Sequence, residues 1–196
     1  MSQSTPLFSQ AAVALHPVPE HERTVLHASR NPLAAFDALV GSRDPLTGCL
    51  DRTSVPRLGA LLARDGAAPV GAIVVRLDGE GSAGDDAGAP AAVLRDALRV
   101  QTARFLMRHV RGSEPLVRSA DDEFLVLLPG ALPRDTERVG RRVQLSAFNK
   151  APAALSLGWA SRQEGEGLDA LVGRARAGQL PVPQGGRGEE RRRHAN

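Results

Sequence analysis

The chain has 196 residues, 42% of them hydrophobic, a net charge of +3 and a single cysteine. That suits one domain with material for tails, and it excludes an internal disulfide. Aromatics make up only 3%, no arginine stripe interleaves with them, and no apolar run reaches spanning length. Nucleic acid and membrane are therefore not expected as partners, and a cytoplasmic location is.

In chain order, residues 1–30 are broken by Pro6, Pro17 and Pro19 and read as a flexible N-terminal segment. His16, His21 and His27 match no zinc-ligand spacing and read as solvated. Asn31-Pro32 predicts a short helix to about Leu39, with Asn as cap and Pro in the first turn. Ser54 and Pro56 open the next helix, with Val55, Leu58, Leu61 and Leu62 on its buried side. The run 70–77 is apolar and β-branched and predicts a central strand. Residues 79–91 are rich in Gly, Ala and Asp and predict a loop.

A long helix is expected over 92–110, with Val93, Ala97, Val100, Ala103 and Leu106 inward. Leu116, Val117 and the run 124–128 predict two strands around an acidic turn of Asp121, Asp122 and Glu123. Residues 134–148 predict a helix with Val139, Val143 and Leu145 inward and arginines outward. A strand over 153–160 and a last helix over 168–177 follow. Residues 179–196 read as a disordered Arg-rich tail, leaving 31–178 as the ordered domain. The element order gives an α/β sandwich, a mixed sheet flanked by helices.

Three stretches carry the chemistry. Three successive carboxylates at a strand end are either an acidic hairpin tip or the beginnings of a divalent-cation site. The segment Asp44-Pro45-Leu46-Thr47-Gly48-Cys49-Leu50-Asp51-Arg52 follows the pattern D-x-L-T-G-L-x-N-R. The hairpin, Arg118-Ser119-Ala120-Asp121-Asp122-Glu123-Phe124, is a damaged copy of R-x-G-G-(D/E)-E-F. Just before it, Arg111-Gly112-Ser113-Glu114 has the spacing of R-x-x-D. Together they resemble the GGDEF family, the diguanylate cyclase domains of bacterial signalling, from about Asp44 to about Ala177. Cys49 falls at a family leucine and reads as a small buried apolar residue.

The resemblance implies the palm-like sheet of nucleotide cyclases. It also implies a reaction in which two GTP molecules become cyclic di-GMP with Mg as the divalent metal. Carried over residue by residue, the metal ligands fall on Asp122 and on Arg76, with Asp78 surviving as the second acid of D-x-D. Glu123 is the next acid of the hairpin. The two glycines fall on Ala120 and Asp121, the guanine-binding Asn on Gly84, and the guanine-binding Asp on Asp96. The basic residues of the last family helix have no clear equivalent.

Arg76 puts a cation where the metal needs an anion. For unit charges about 4 Å apart at an effective dielectric of about 20, that is of order 4 kcal/mol. The expectation is a degenerate, catalytically inactive domain with no cofactor, Asp78 and Asp122 being the metal residues if one binds. Arg111 and Glu114, with Arg118 or Arg108 as a further cation, are expected to hold cyclic di-GMP. Arginine's planar fork suits guanine or phosphate, and the carboxylate can accept from guanine N–H groups. The function expected is that of a guanine-nucleotide receptor or partner-binding module. The alternatives are an active or weakly active cyclase using GTP, and a nucleotide-free structural or homodimerising module.

Overall fold

The computed structural model describes residues 42–64, 68–78, 89–111 and 113–183. The expected helix over 31–39, the three histidines of the N-terminal segment, Gly84 and the tail from 184 lie outside the described residues.

The elements are α1 (Ser54–Arg64), β1 (Val70–Leu77), α2 (Ala89–Met107), β2 (Leu116–Ala120), β3 (Glu123–Pro129), α3 (Pro133–Lys150), β4 (Leu155–Ser161), α4 (Leu168–Ala177) and β5 (Leu180–Pro181). The strands form one five-stranded sheet in the order β2-β3-β1-β4-β5. β1 is central, as its unbroken apolar run predicts, and six of its eight residues from Val70 are buried in succession. The α/β sandwich is the architecture observed. Its sheet, however, is antiparallel at every strand pairing rather than mixed. Among the described residues the one parallel contact is the isolated bridge from Leu50 to Val117, which covers the outer edge of β2.

Alternation along β1 and β3 divides the core in two. Ile73, Val75, Phe124, Val126 and Leu128 face α2 and α3, where Ala103, Phe105, Leu106, Val143 and Ala147 meet them. Ala72, Val74, Leu125 and Leu127 face α1 and α4, where Leu58, Leu62, Leu168, Leu171 and Ala175 close the second layer. A strand with both faces covered must be apolar at every position, hence the continuous runs at 70–75 and 124–128. Cys49 is buried in the first layer, and burial pushes its thiol above the ordinary value.

Three expectations are corrected. Leu145 is 70% exposed. The buried stripe of α3 is Thr136, Gly140, Val143 and Ala147, and two residues from Val143 is about 200° around a helix. Val93 is also 70% exposed, because α2 packs through Ala103, Phe105 and Leu106 while its first turns lie on solvent. The expected tail begins with structure: Leu157 pairs with Leu180 and Ser156 with Pro181, and Val182 is buried. Proline is tolerated there because β5 is an edge strand, where a missing N–H breaks no ladder.

Candidate functional site

The motif at 44–52 folds as a tight turn held from inside. Asp44 accepts from the Thr47 backbone N–H at 2.8 Å and from the Thr47 hydroxyl at 2.7 Å through the same oxygen. Gly48 has φ 73°, a conformation that favours glycine, and its N–H donates to the Asp44 carbonyl at 2.9 Å. This accounts for the D-x-L-T-G spacing. The other Asp44 oxygen takes Arg118 Nη1 at 2.8 Å, with both side chains largely buried. Arg118 also donates to the Asp121 carbonyl from Nε at 3.3 Å and from Nη2 at 3.2 Å. It therefore locks the opening motif to the hairpin. Burial works against charge on Asp44, but the Thr47 hydrogen bonds and Arg118 outweigh it and hold the carboxyl below its usual value.

The hairpin turn itself is Asp121–Asp122, one residue shorter than the acidic turn expected, because Glu123 pairs with Ala120 as the start of β3. A register shift at Ser119 bends β2 into the turn. No described residue other than glycine has positive φ, so the turn forms without the family's two glycines.

Arginines meet the carboxylates around the turn. Arg99, on α2, donates from Nε to Asp122 at 2.8 Å and from Nη1 to Asp96 at 2.8 Å, and its side chain is only 14% exposed. Burial opposes charge on Arg99, and the two carboxylates more than compensate, so its pKa rises. Arg176, in the last turn of α4, grips Glu123 through three contacts of 2.7–3.2 Å. Ser119 donates to the same carboxylate at 2.7 Å. Burial pushes the Glu123 carboxyl up, but Arg176 and Ser119 pull it below the ordinary range. Asp78 faces Arg76 Nε at 3.3 Å and accepts from the Ser156 hydroxyl. Asp121, its side chain 91% exposed, lies 3.6 Å from Arg118 Nη2.

A magnesium ion would need one or two carboxylates free to share it with the substrate's phosphates. Among the described residues no group of three or more His, Cys, Asp or Glu could hold a metal. Asp78 and Asp122 point to different arginines, Arg76 and Arg99. The residues present do not fit the metal that the resemblance implies.

Away from the hairpin, Glu114 accepts from the Arg111 backbone N–H at 2.8 Å, and the Glu114 N–H donates to the Arg111 carbonyl at 2.9 Å. The pair thus closes its own turn, leaving the Arg111 residue exposed. Arg118 does not join it, being committed to Asp44 and the turn. Arg108 is exposed one turn earlier.

Two residues that complete the site escape sequence reasoning. Arg99 is three residues from Asp96, a spacing that signals a helical ion pair, but its contact with Asp122 spans 23 positions. Arg176 reaches Glu123 across 53 positions, so the last helix does bring a cation to the hairpin.

No protein-family model matches the chain, and no curated protein does. Solved structures do. A sensory box/GGDEF family protein from Caulobacter crescentus is 28% identical with a TM-score of 0.57, covering 70% of this chain and 95% of that one. The GGDEF domain of FimX from Pseudomonas aeruginosa is 24% identical with a TM-score of 0.60, covering 71% and 91%. The GGDEF domain of DgcB from Caulobacter crescentus, solved in complex with c-di-GMP, is 18% identical with a TM-score of 0.57, covering 70% and 86%. Among the described residues no helix is long and apolar enough to cross a membrane. In its motifs and in its fold, the chain is similar to the GGDEF domains of these proteins.

Proposed function

We propose that this is a degenerate GGDEF domain that makes no cyclic di-GMP and acts in that signalling system as a guanine-nucleotide receptor. The observation that carries the reading is the pairing of Asp122 with Arg99, Glu123 with Arg176 and Asp78 with Arg76. Phosphoryl transfer from GTP needs cations free to neutralise the triphosphate. Here the arginines spend their charge on protein carboxylates. Six carboxylates (Asp44, Asp78, Asp96, Asp121, Asp122, Glu123) face four arginines (Arg76, Arg99, Arg118, Arg176), so the hairpin is not an inviting place for a polyanion.

In this reading the Arg111–Glu114 turn is the receptor site. Glu114 fixes the turn through the backbone, which leaves the exposed guanidinium to approach guanine or phosphate in a fork. Arg108 supplies a second cation to the same end of α2, and Arg118 takes no part.

Calorimetry with cyclic di-GMP tests the receptor. Heat is expected with the natural sequence and loss of binding with Arg111→Ala at unchanged thermal stability. A folded protein giving no heat at high micromolar ligand would remove it. Incubation with GTP and magnesium or manganese, followed by chromatography, tests inactivity. Robust product would mean that a metal displaces Arg99 and Arg76, and the chain would then be a cyclase.

A further inference from the structure

α3 turns two different faces outward and inward. Thr136, Gly140, Val143 and Ala147 are buried, and Gly140 lets the helix lie against Trp159. On the opposite side Arg134, Arg138, Arg141, Leu145 and Phe148 follow one another at intervals of four, three, four and three residues. That alternation is the seam spacing by which one helix lies along another. All five are exposed, Leu145 at 70% and Phe148 at 42%. A cleft of about 480 Å³ runs among Arg134, Glu137, Arg138, Arg141, Arg142 and Leu145.

We propose that this outer face of α3 is a docking surface for an acidic, amphipathic helix of a partner protein. The charge selects the partner. Four arginines stand on the face against two carboxylates, Asp135 and Glu137. Arg138 pairs with Asp135 at 2.9 Å and Arg141 with Glu137 at 2.7 Å. Both pairs are exposed bridges within one helix, and such bridges contribute little, so a partner's carboxylates can replace them. Arg142 is anchored on the His109 carbonyl at 2.7 Å and frames one side of the cleft.

The seam is graded, with three arginines toward the N-terminal end and Leu145 and Phe148 toward the C-terminal end. A partner helix with carboxylates at one end of its seam and apolar residues at the other matches it along its length. A second copy does not. Paired in parallel, two copies of α3 would set arginine on arginine. Paired antiparallel, they would set Arg141 against Arg141 and arginines against the apolar end. The exposed Leu145 gains nothing within this chain, and a partner's apolar side chain would remove it from water. Arg142, at the edge of the cleft, reaches His109 beside the Arg111 turn. The seam residues Arg138, Arg141 and Leu145, however, are none of those the receptor reading uses, so varying them tests the docking surface separately.

The test uses the full chain and two synthetic helical peptides. One carries three Glu and then two Leu at seam spacing, and the other has Lys in place of Glu. Calorimetry at low salt is expected to show binding of the Glu peptide. Its affinity should fall by about tenfold or more on raising salt, as exposed ion pairs are screened. Arg138→Glu with Arg141→Glu should lose the Glu peptide by about tenfold or more and take up the Lys peptide. Leu145→Ser should weaken binding without moving the unfolding midpoint, which separates docking from folding. The proposal is overturned by absence of Glu-peptide binding, or by binding that the double charge reversal leaves unchanged. Tighter, arginine-dependent binding to phosphatidylglycerol vesicles or duplex DNA would assign the face to another class of partner and equally overturn it.

Discussion

At the scale of single residues, the hairpin is governed by cations that belong to the protein. Arg99 ties α2 to the turn through a charge-assisted hydrogen bond to Asp122 and is braced by a second to Asp96 on its own helix, in a largely buried setting. Arg99→Ala is expected to cost about 1–2 kcal/mol in urea unfolding, because water can resolvate the half-exposed Asp96 and Asp122. Arg99→Lys should recover only part of it, since an ammonium lacks the planar fork that reaches two carboxylates at once. An unchanged midpoint in Arg99→Ala would mean that the bridge is idle. Restoring one anion by Arg76→Asp is expected to give no cyclase product, because Asp122 remains on Arg99 and Glu123 on Arg176. Product from that single variant, detected by chromatography, would show that Arg76 alone was the block.

At the scale of elements, close approach outweighs propensity. Gly140 sits mid-helix in α3, where alanine would favour the helix by about 1 kcal/mol. A Cβ there would lie 2.5 Å from the Trp159 ring of β4. Gly140→Ala is therefore expected to lower stability by about 1–3 kcal/mol as α3 is pushed off the sheet. Trp159 is the single tryptophan, so its fluorescence reports that junction directly during unfolding. A raised melting temperature would show that the ring can move aside.

At the scale of the whole molecule, acid should lower the stability of the domain in two steps. His109 packs edge-on against Phe105, contacts Ser146 at 2.9 Å and is held below its ordinary value of 6.5, first by burial and then by Arg142, Arg108 and Lys150. A depressed folded value means that its contribution is complete above about 6.5 and is lost as pH falls through the folded value. Asp44 and Glu123 have the same sign with ordinary values of 3.8 and 4.5, so their contributions disappear in a lower window. Urea midpoints from neutral pH down to pH 3 should fall in two steps. His109→Gln should remove the upper step and leave the lower. A single step at carboxylate pH in the unmodified chain would show that His109 is not coupled to folding.

Much was legible in the chain itself because its signals are local. The apolar runs at 70–77 and 124–128 identify strands covered on both faces, and the Asp44-to-Gly48 spacing encodes a turn that the Thr47 and Gly48 contacts explain residue by residue. The family resemblance follows from those same short stretches. What the chain could not disclose is which cation meets which anion. Arg99 and Asp122 are brought together only when α2 packs across the sheet, and Arg176 meets Glu123 only when α4 closes the opposite face. The outward turn of Leu145 likewise depends on which stripe of α3 finds the core. Local patterning determined the elements and the motif, while side-chain pairing between distant segments, set by packing, decided what the site can hold.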